Sequence, residues 1–248
     1  MISTVLQYST LDFRFLETNL NQLSKFSDEI IIPICDHFFD GETENQELLE
    51  KTFEITKQIP KCNTYLFEWD GIKSNTGYYH NLSRALGTSV AEGDWLLFVD
   101  TDEIVSDNFS KWFETIKHTD YSFWLTCYWY FREPTYQATK TESAGLLIKK
   151  EKCNWNMNIR EERQQLFNIP NFISGDYTPI LYDNEPLIHH YSWVRTKEEM
   201  LKKVLNWGHK NDKNWSDLIE EEFSRPFNGT DFVHGYNYNI IENKFNIK

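Results

Sequence analysis

Five bulky apolar residues in a row, Trp95-Leu96-Leu97-Phe98-Val99, end without transition in Asp100-Thr101-Asp102-Glu103. A run that is apolar at every position has no face to offer water, so it predicts a strand covered on both sides, as in the middle of a parallel sheet. Parallel strands need long crossovers, usually helices, and the chain upstream supplies them. Strand candidates at Ile2 to Tyr8, Glu29 to Cys35 and Thr64 to Trp69 alternate with helical patterns at Leu11 to Phe26, Gln46 to Ile59 and Tyr78 to Ala91. That alternation predicts an α/β fold whose first hundred residues are βα units.

Beyond Asp102 the pattern changes. A helix is expected at about Asp107 to Lys117. The aromatic run Tyr121 to Phe131 reads as a strand buried on both faces, and Gly145 to Lys149 is also β-like. Thr196 to His209 reads as a charged helix, and the tail from Phe227 to Lys248 has no clear period. No repeat, low-complexity linker or domain boundary is visible. A chain of 248 residues fits a single core,, so the expectation is one domain, with residues 1–104 and 105–248 as its two halves.

The formal charge of −13 argues against binding that works by neutralising nucleic-acid phosphates or anionic membranes. An anionic ligand would have to be met locally, by a cation. Cys35, Cys62, Cys127 and Cys153 show no C-x-x-C spacing, which argues against a zinc site or disulfide framework and for reduced thiols. The first residues lack a basic segment followed by an apolar one, and no stretch of about 18 apolar residues occurs, so no membrane span and a cytoplasmic location are expected.

The chemistry is concentrated in Asp100-Thr101-Asp102-Glu103, at the carboxyl end of the buried run, the edge where open α/β sheets bind ligands. If the chain stays extended there, Asp100 and Asp102 face one bound object. Two converging carboxylates repel unless a cation lies between them, and Mg²⁺ or Mn²⁺ prefers such oxygen ligands. The plain alternative is that Asp102-Glu103 starts the next helix, where acids favour the positive end of the dipole.

The stretch from Arg84 to Glu103, with Arg84-Ala85-Leu86-Gly87, Ala91-Glu92-Gly93-Asp94, the apolar strand and then Asp100-Thr101-Asp102, resembles the central signature of family 2 glycosyltransferases. It departs at Ala85, where that family usually has Asn. The resemblance implies a GT-A type fold, Rossmann-like and mostly parallel with helices on both faces and a mixed second half. It also implies a UDP-, GDP- or dTDP-sugar donor bound over the first half, and transfer to a glycan or other hydroxyl acceptor, leaning toward inversion. By the same resemblance, Asp100 and the intervening Thr101 contact donor and metal shell, while Asp102 holds Mn²⁺ or Mg²⁺. Asp102→Asn is then expected to abolish metal-dependent nucleotide binding and leave the fold intact. Asp36, ending the second strand, is similar in position to a base-contacting Asp, or is a plain loop acid. Arg84 reaches the diphosphate, or is a solvated helix residue.

On the acceptor side the resemblance implies a late histidine completing the metal shell, His190 before His189 in Ile188-His189-His190-Tyr191. Forming a glycosidic bond requires a carboxylate to take the acceptor's proton; Glu161 or Glu162 falls where the family carries that group, with Asp176 in reserve. Trp155 and Trp193 are candidates to stack on a sugar. Two other classes stay open: a haloacid-dehalogenase-like phosphatase with Asp100 as nucleophile, and a non-catalytic carbohydrate-binding protein.

Overall fold

The computed structural model of the protein describes residues 1–38, 41–68, 76–153, 171–206 and 209–247, with residues 76–81 as backbone only. In chain order come β1 (Ile2–Gln7), α1 (Phe13–Leu23), β2 (Glu29–Cys35), α2 (Gln46–Lys57), β3 (Cys62–Phe67), α3 (Thr76–Val90) and β4 (Trp95–Asp100). Then follow β5 (Glu103–Val105), α4 (Phe109–Ile116), β6 (Ser122–Phe131) and β7 (Glu133–Lys149). Short strands β8 (Phe172–Ser174), β9 (Leu181–Tyr182) and β10 (Glu185–Pro186) lead to β11 (Ile188–Trp193), α5 (Lys197–Leu205), α6 (Trp215–Phe223) and β12 (Tyr238–Ile240).

One sheet runs through the molecule in the order β3-β2-β1-β4-β7-β6-β11-β5, with β12 on β7 and β8 on β6. Its first four strands are parallel. Strand β7 reverses direction against both β4 and β6, β11 is parallel to β6, and β5 is antiparallel to β11. The α/β class, the parallel first half and the mixed second half are therefore as expected from the sequence.

The two-residue period of each strand sorts the first half into layers. Leu6, Ile30, Ile32, Leu97 and Val99 pack with Leu16, Leu20 and Leu23 of α1 and Leu49 of α2. Val5, Ile31, Leu96 and Phe98 form a second layer on the other face. Each fully buried leucine of α1 contributes about 1.5–3 kcal/mol from leaving water. Helix α3 lies against β1 at a glycine: a Cβ at Gly87 would fall 2.4 Å from Val5 Cγ1, so a larger residue would push α3 off the sheet.

Three expectations need correction. The acids after β4 do not start a helix; Thr101 and Asp102 turn, and Glu103 begins β5. Strand β7 extends far upstream of Gly145 because its polar stretch, with exposed Thr139, Lys140 and Thr141, is held by ladder bonds to β6 and β12, which periodicity does not reveal. The tail contributes β12, paired to β7 at Tyr136 to Ala138. The late helix begins as expected, with Thr196 and Glu199 forming a reciprocal capping box,. Among the described residues no helix is long and apolar enough to cross a membrane, and the four cysteines are unbridged.

Candidate functional site

The turn at Thr101 and Asp102 is fixed from two sides. Thr101 donates from both its backbone N–H (3.0 Å) and its Oγ1 (2.6 Å) to the carbonyl of Gln7, which ends β1. The buried amide of Asn19, on α1, donates to the carbonyls of Asp100, Thr101 and Glu103 at 3.3, 2.9 and 3.1 Å. The two amide hydrogens of one side chain are thus shared among three carbonyls around the turn,.

This turn separates the two aspartates, contrary to the extended chain assumed from the sequence. Asp100 Oδ1 faces Arg84 of α3 at 3.1 Å. Asp102 points toward β11 and α5. Its Oδ2 accepts from Arg195 at 3.1 Å and Lys203 at 3.3 Å, and its Oδ1 lies 3.5 Å from His190 Nε2. Glu103 Oε1 is 4.0 Å from the same nitrogen. Glu103 Oε2 accepts the Asp100 backbone N–H at 3.0 Å. His190 Nε2 thus lies near both Asp102 and Glu103, and Arg84 faces Asp100.

Burial of Asp102 favours its neutral form, but Lys203, His190 and Arg195 outweigh that and hold the carboxyl well below its usual range,. Arg195 has 1% of its side chain exposed. It donates to the carbonyls of Ser192 and Leu11 at 2.9 and 2.8 Å and to the Asp12 carboxylate. Lys203 comes from the last turn of α5, where a cation also favours the helix end,. Helix α5 is tied across the carboxyl edge by Arg14 to Glu199 at 2.7 Å and by Lys202 over the Phe38 ring. Sequence reading missed Asn19, Arg195 and Lys203, and it counted Glu103 in the acidic segment without giving it a role of its own.

The adjacent histidines part company. His190 shares its face of β11 with Trp129, whose ring meets it edge-on at 4.8 Å, and its buried Nδ1 has no hydrogen-bond partner. His189 faces the other side. There Tyr130 Oη bonds its Nδ1 at 2.7 Å and Lys244 Nζ approaches its Nε2 at 3.5 Å. Both nitrogens being engaged, away from the carboxylates, His189 is not positioned to join them as a metal ligand. Burial, with Lys244, pushes it down to about 3.

Two carboxylates and an imidazole are donor types that Mn²⁺ or Mg²⁺ accepts, but the three ligand atoms do not all lie within 4.8 Å of one another, so an ion there would have to draw them together. The 3.5 and 4.0 Å separations are too long for good hydrogen bonds.

Asp176, the reserve candidate for the base, is exposed just after Gly175, which fits against Thr126 and Ser143 so closely that a Cβ would be 2.5 Å from Thr126 Oγ1. Burial above all, with the charges of Glu142, Glu103 and Asp176, pushes the thiol of Cys127, midway along β6, up. Glu142 is paired with His234 at 3.3 Å. Trp193 is fully buried against Trp215 and Phe232 and offers no sugar-stacking face. Glu161, Glu162 and Trp155 lie outside the described residues. Asp36 stands one residue past β2, with β1 between it and β4, so strand spacing puts it about 10 Å from the Asp100 end,.

No family model matches the chain, and no curated protein matches it in sequence. Among solved structures it is similar to the glycosyltransferase GlyE of Streptococcus pneumoniae TIGR4, at 16% identity and TM-score 0.42, over 90% of this chain and 63% of that one. It is also similar to the galactosyltransferase LgtC in complex with donor and acceptor sugar analogs, at 8% identity and TM-score 0.44, over 91% and 98%. A third is a protein described as a glucose-1-phosphate thymidylyltransferase from Bacillus anthracis, at 9% identity and TM-score 0.47, over 89% and 96%. The chain spans less than two thirds of GlyE's length. Overlaps of this size carry no argument about activity, which rests on the side chains at the carboxyl edge.

Proposed function

We propose that the protein is a glycosyltransferase that moves a sugar from a nucleoside diphosphate to a hydroxyl acceptor, with a divalent cation at Asp102, Glu103 and His190. The observation that carries this reading is the mixed charge at one point of the sheet edge. Asp102 presents one oxygen to His190 and the other to Lys203 and Arg195. Oxygen ligands for a hard cation thus lie beside cationic side chains suited to phosphate. When bound, the ion supplies positive charge against that developing on the departing diphosphate.

Within this reading Lys203, partly accessible, shifts from Asp102 to a diphosphate oxygen, and Arg195, fully enclosed, keeps Asp102 in place. Arg84 and Asp100 flank the donor, with Asp36 toward its base. Asp176 takes the acceptor's proton as the new C–O bond forms and the bond from the anomeric carbon to the diphosphate breaks; Glu161 and Glu162 are to be tested beside it. In the phosphatase alternative Asp100 would be the attacking group, and its pairing with Arg84 at 3.1 Å does not favour that role.

The test is thermal unfolding with Mn²⁺ and UDP, GDP or dTDP. One nucleotide should stabilise by about 2.7 kcal/mol at a hundredfold excess over its dissociation constant, and only with the cation. No gain from any of the three, or equal gain from inorganic phosphate alone, would overturn the reading.

A further inference from the structure

The end of β2 brings together three chemically different ligands that the proposed reaction does not use as a set. Cys35 Sγ lies 3.6 Å from Asp36 Oδ1 and 3.7 Å from His37 Nδ1. The Asp36 oxygen and the His37 nitrogen are 2.6 Å apart. Among the described residues this is the one group of three or more His, Cys, Asp or Glu whose ligand atoms converge this closely.

These spacings can be compared with a known coordination shape. A tetrahedral zinc complex with about 2.3 Å to sulfur and about 2.05 Å to nitrogen or oxygen has S···N and S···O edges of about 3.6 Å and an N···O edge of about 3.3 Å. The two sulfur edges are already of that length. The third is shorter because Asp36 and His37 share a hydrogen bond, which an entering ion would replace. One thiolate and one carboxylate would balance a divalent charge, leaving a neutral complex with the fourth position for water.

The segment is held, and it is open to solvent. His37 forms an isolated β-bridge with Thr43, and the Phe38 N–H donates to the Glu42 carbonyl at 2.7 Å. Asp36 has 49% of its side chain exposed, which gives an ion a way in, and the net charge of −13 enriches cations around the molecule,. Rules keyed to paired cysteines miss such a site, because Cys35-Asp36-His37 contains one thiol.

We propose that Cys35, Asp36 and His37 form a second cation site, selective for a borderline-soft ion such as Zn²⁺ and separate from the oxygen-rich set at Asp102. Thiolate and imidazole select zinc where the carboxylates of Asp102 and Glu103 suit Mn²⁺ or Mg²⁺.

Cobalt(II) reports on this directly, since thiolate ligation gives a near-ultraviolet charge-transfer band. Titrating the reduced, chelator-free protein with Co²⁺ should develop that band to saturation at one equivalent, and Zn²⁺ should erase it. Cys35→Ser should abolish the band, and His37→Ala should weaken Co²⁺ binding at least tenfold. Cys62→Ser and Asp102→Asn should leave it intact. The proposal is overturned if the wild type shows no band at ten equivalents, if the band survives Cys35→Ser, or if Asp102→Asn removes it. No nucleotide is present, so failure of this site and failure of the proposed activity are read separately.

Discussion

His189 and His190 are consecutive residues of β11, and the strand period turns them to opposite faces,. On the His189 face both ring nitrogens are occupied. Tyr130 and Lys244 take them, and the rings of Tyr128, Tyr130 and Phe245 pack against the imidazole. On the His190 face an imidazole lies against two carboxylates at distances longer than hydrogen bonds, beside a buried arginine and a lysine that share Asp102. The two side chains are chemically identical and both largely enclosed, so burial alone does not separate a structural histidine from a functional one. What separates them is whether the ring's polar atoms already have partners.

The largest effect that can break this comparison is at Asp102. Asp102→Asn removes a carboxylate from Arg195, which is almost completely buried, and removing one partner of a buried ion pair costs about 3–5 kcal/mol,. Asp12 stays with Arg195 and Lys203 can turn to water, so the loss should be about 3 kcal/mol, at the lower end,. The expectation from sequence that this change leaves the fold intact is thus replaced: it should lower the urea midpoint as well as remove Mn²⁺-dependent nucleotide binding. A midpoint equal to wild type would show that Asp102 does not hold Arg195 in solution.

The next effect is a crossover between the two histidines. His189→Ala empties a packed position and leaves Tyr130 and Lys244 short of a partner, for a loss of about 2 kcal/mol in stability with Mn²⁺ affinity unchanged,. His190→Ala should change stability by less than about 1 kcal/mol, since its Nδ1 has no partner to lose,. It should raise the Mn²⁺ concentration needed for nucleotide binding, by at least tenfold. Stability by denaturant titration and metal dependence by calorimetry should give opposite rankings of the two variants; the same ranking in both would erase the distinction between the faces.

The parallel half was legible because β2 and β4 are apolar at nearly every position, and the crossovers between strands repeat at three or four residues. The strand ending in Asp100 was found by the same signal, and Asp102 with it, whereas His190 was singled out by the resemblance. What the sequence hid are residues that act across long separations. Asn19 reads as one polar position on an amphipathic helix, yet its amide ties down a turn more than 80 positions away. Arg195 and Lys203 read as ordinary charges around a capped helix, and their meaning depends on β11 carrying that helix back over the edge. The strand that Glu103 begins went unseen because three residues are too few positions to show a period.

The last effect tests His189 by pH, with Glu44, buried beside Thr10, as its counterweight. Burial pushes the Glu44 carboxyl up to about 7, against the hydrogen bonds from Thr10 that favour its charge. Between its ordinary 4.5 and about 7 the folded protein holds a proton that the unfolded chain has released, so this group makes stability fall as pH rises,. His189 works the other way. Burial lowers it from 6.5 to about 3, so across that window the unfolded chain holds the extra proton and stability falls as pH drops,. From pH 4.5 to 6.5 the two slopes, each at most about 1.4 kcal/mol per pH unit, oppose one another. Removing either group should expose the other. In metal-free buffer, Glu44→Gln should gain stability relative to wild type as pH rises through that range, and His189→Gln should lose it. Comparing each variant with wild type cancels the titrations they share. Urea midpoints of the three proteins that run parallel from pH 4.5 to 6.5 would show that neither group is as enclosed as the packing indicates.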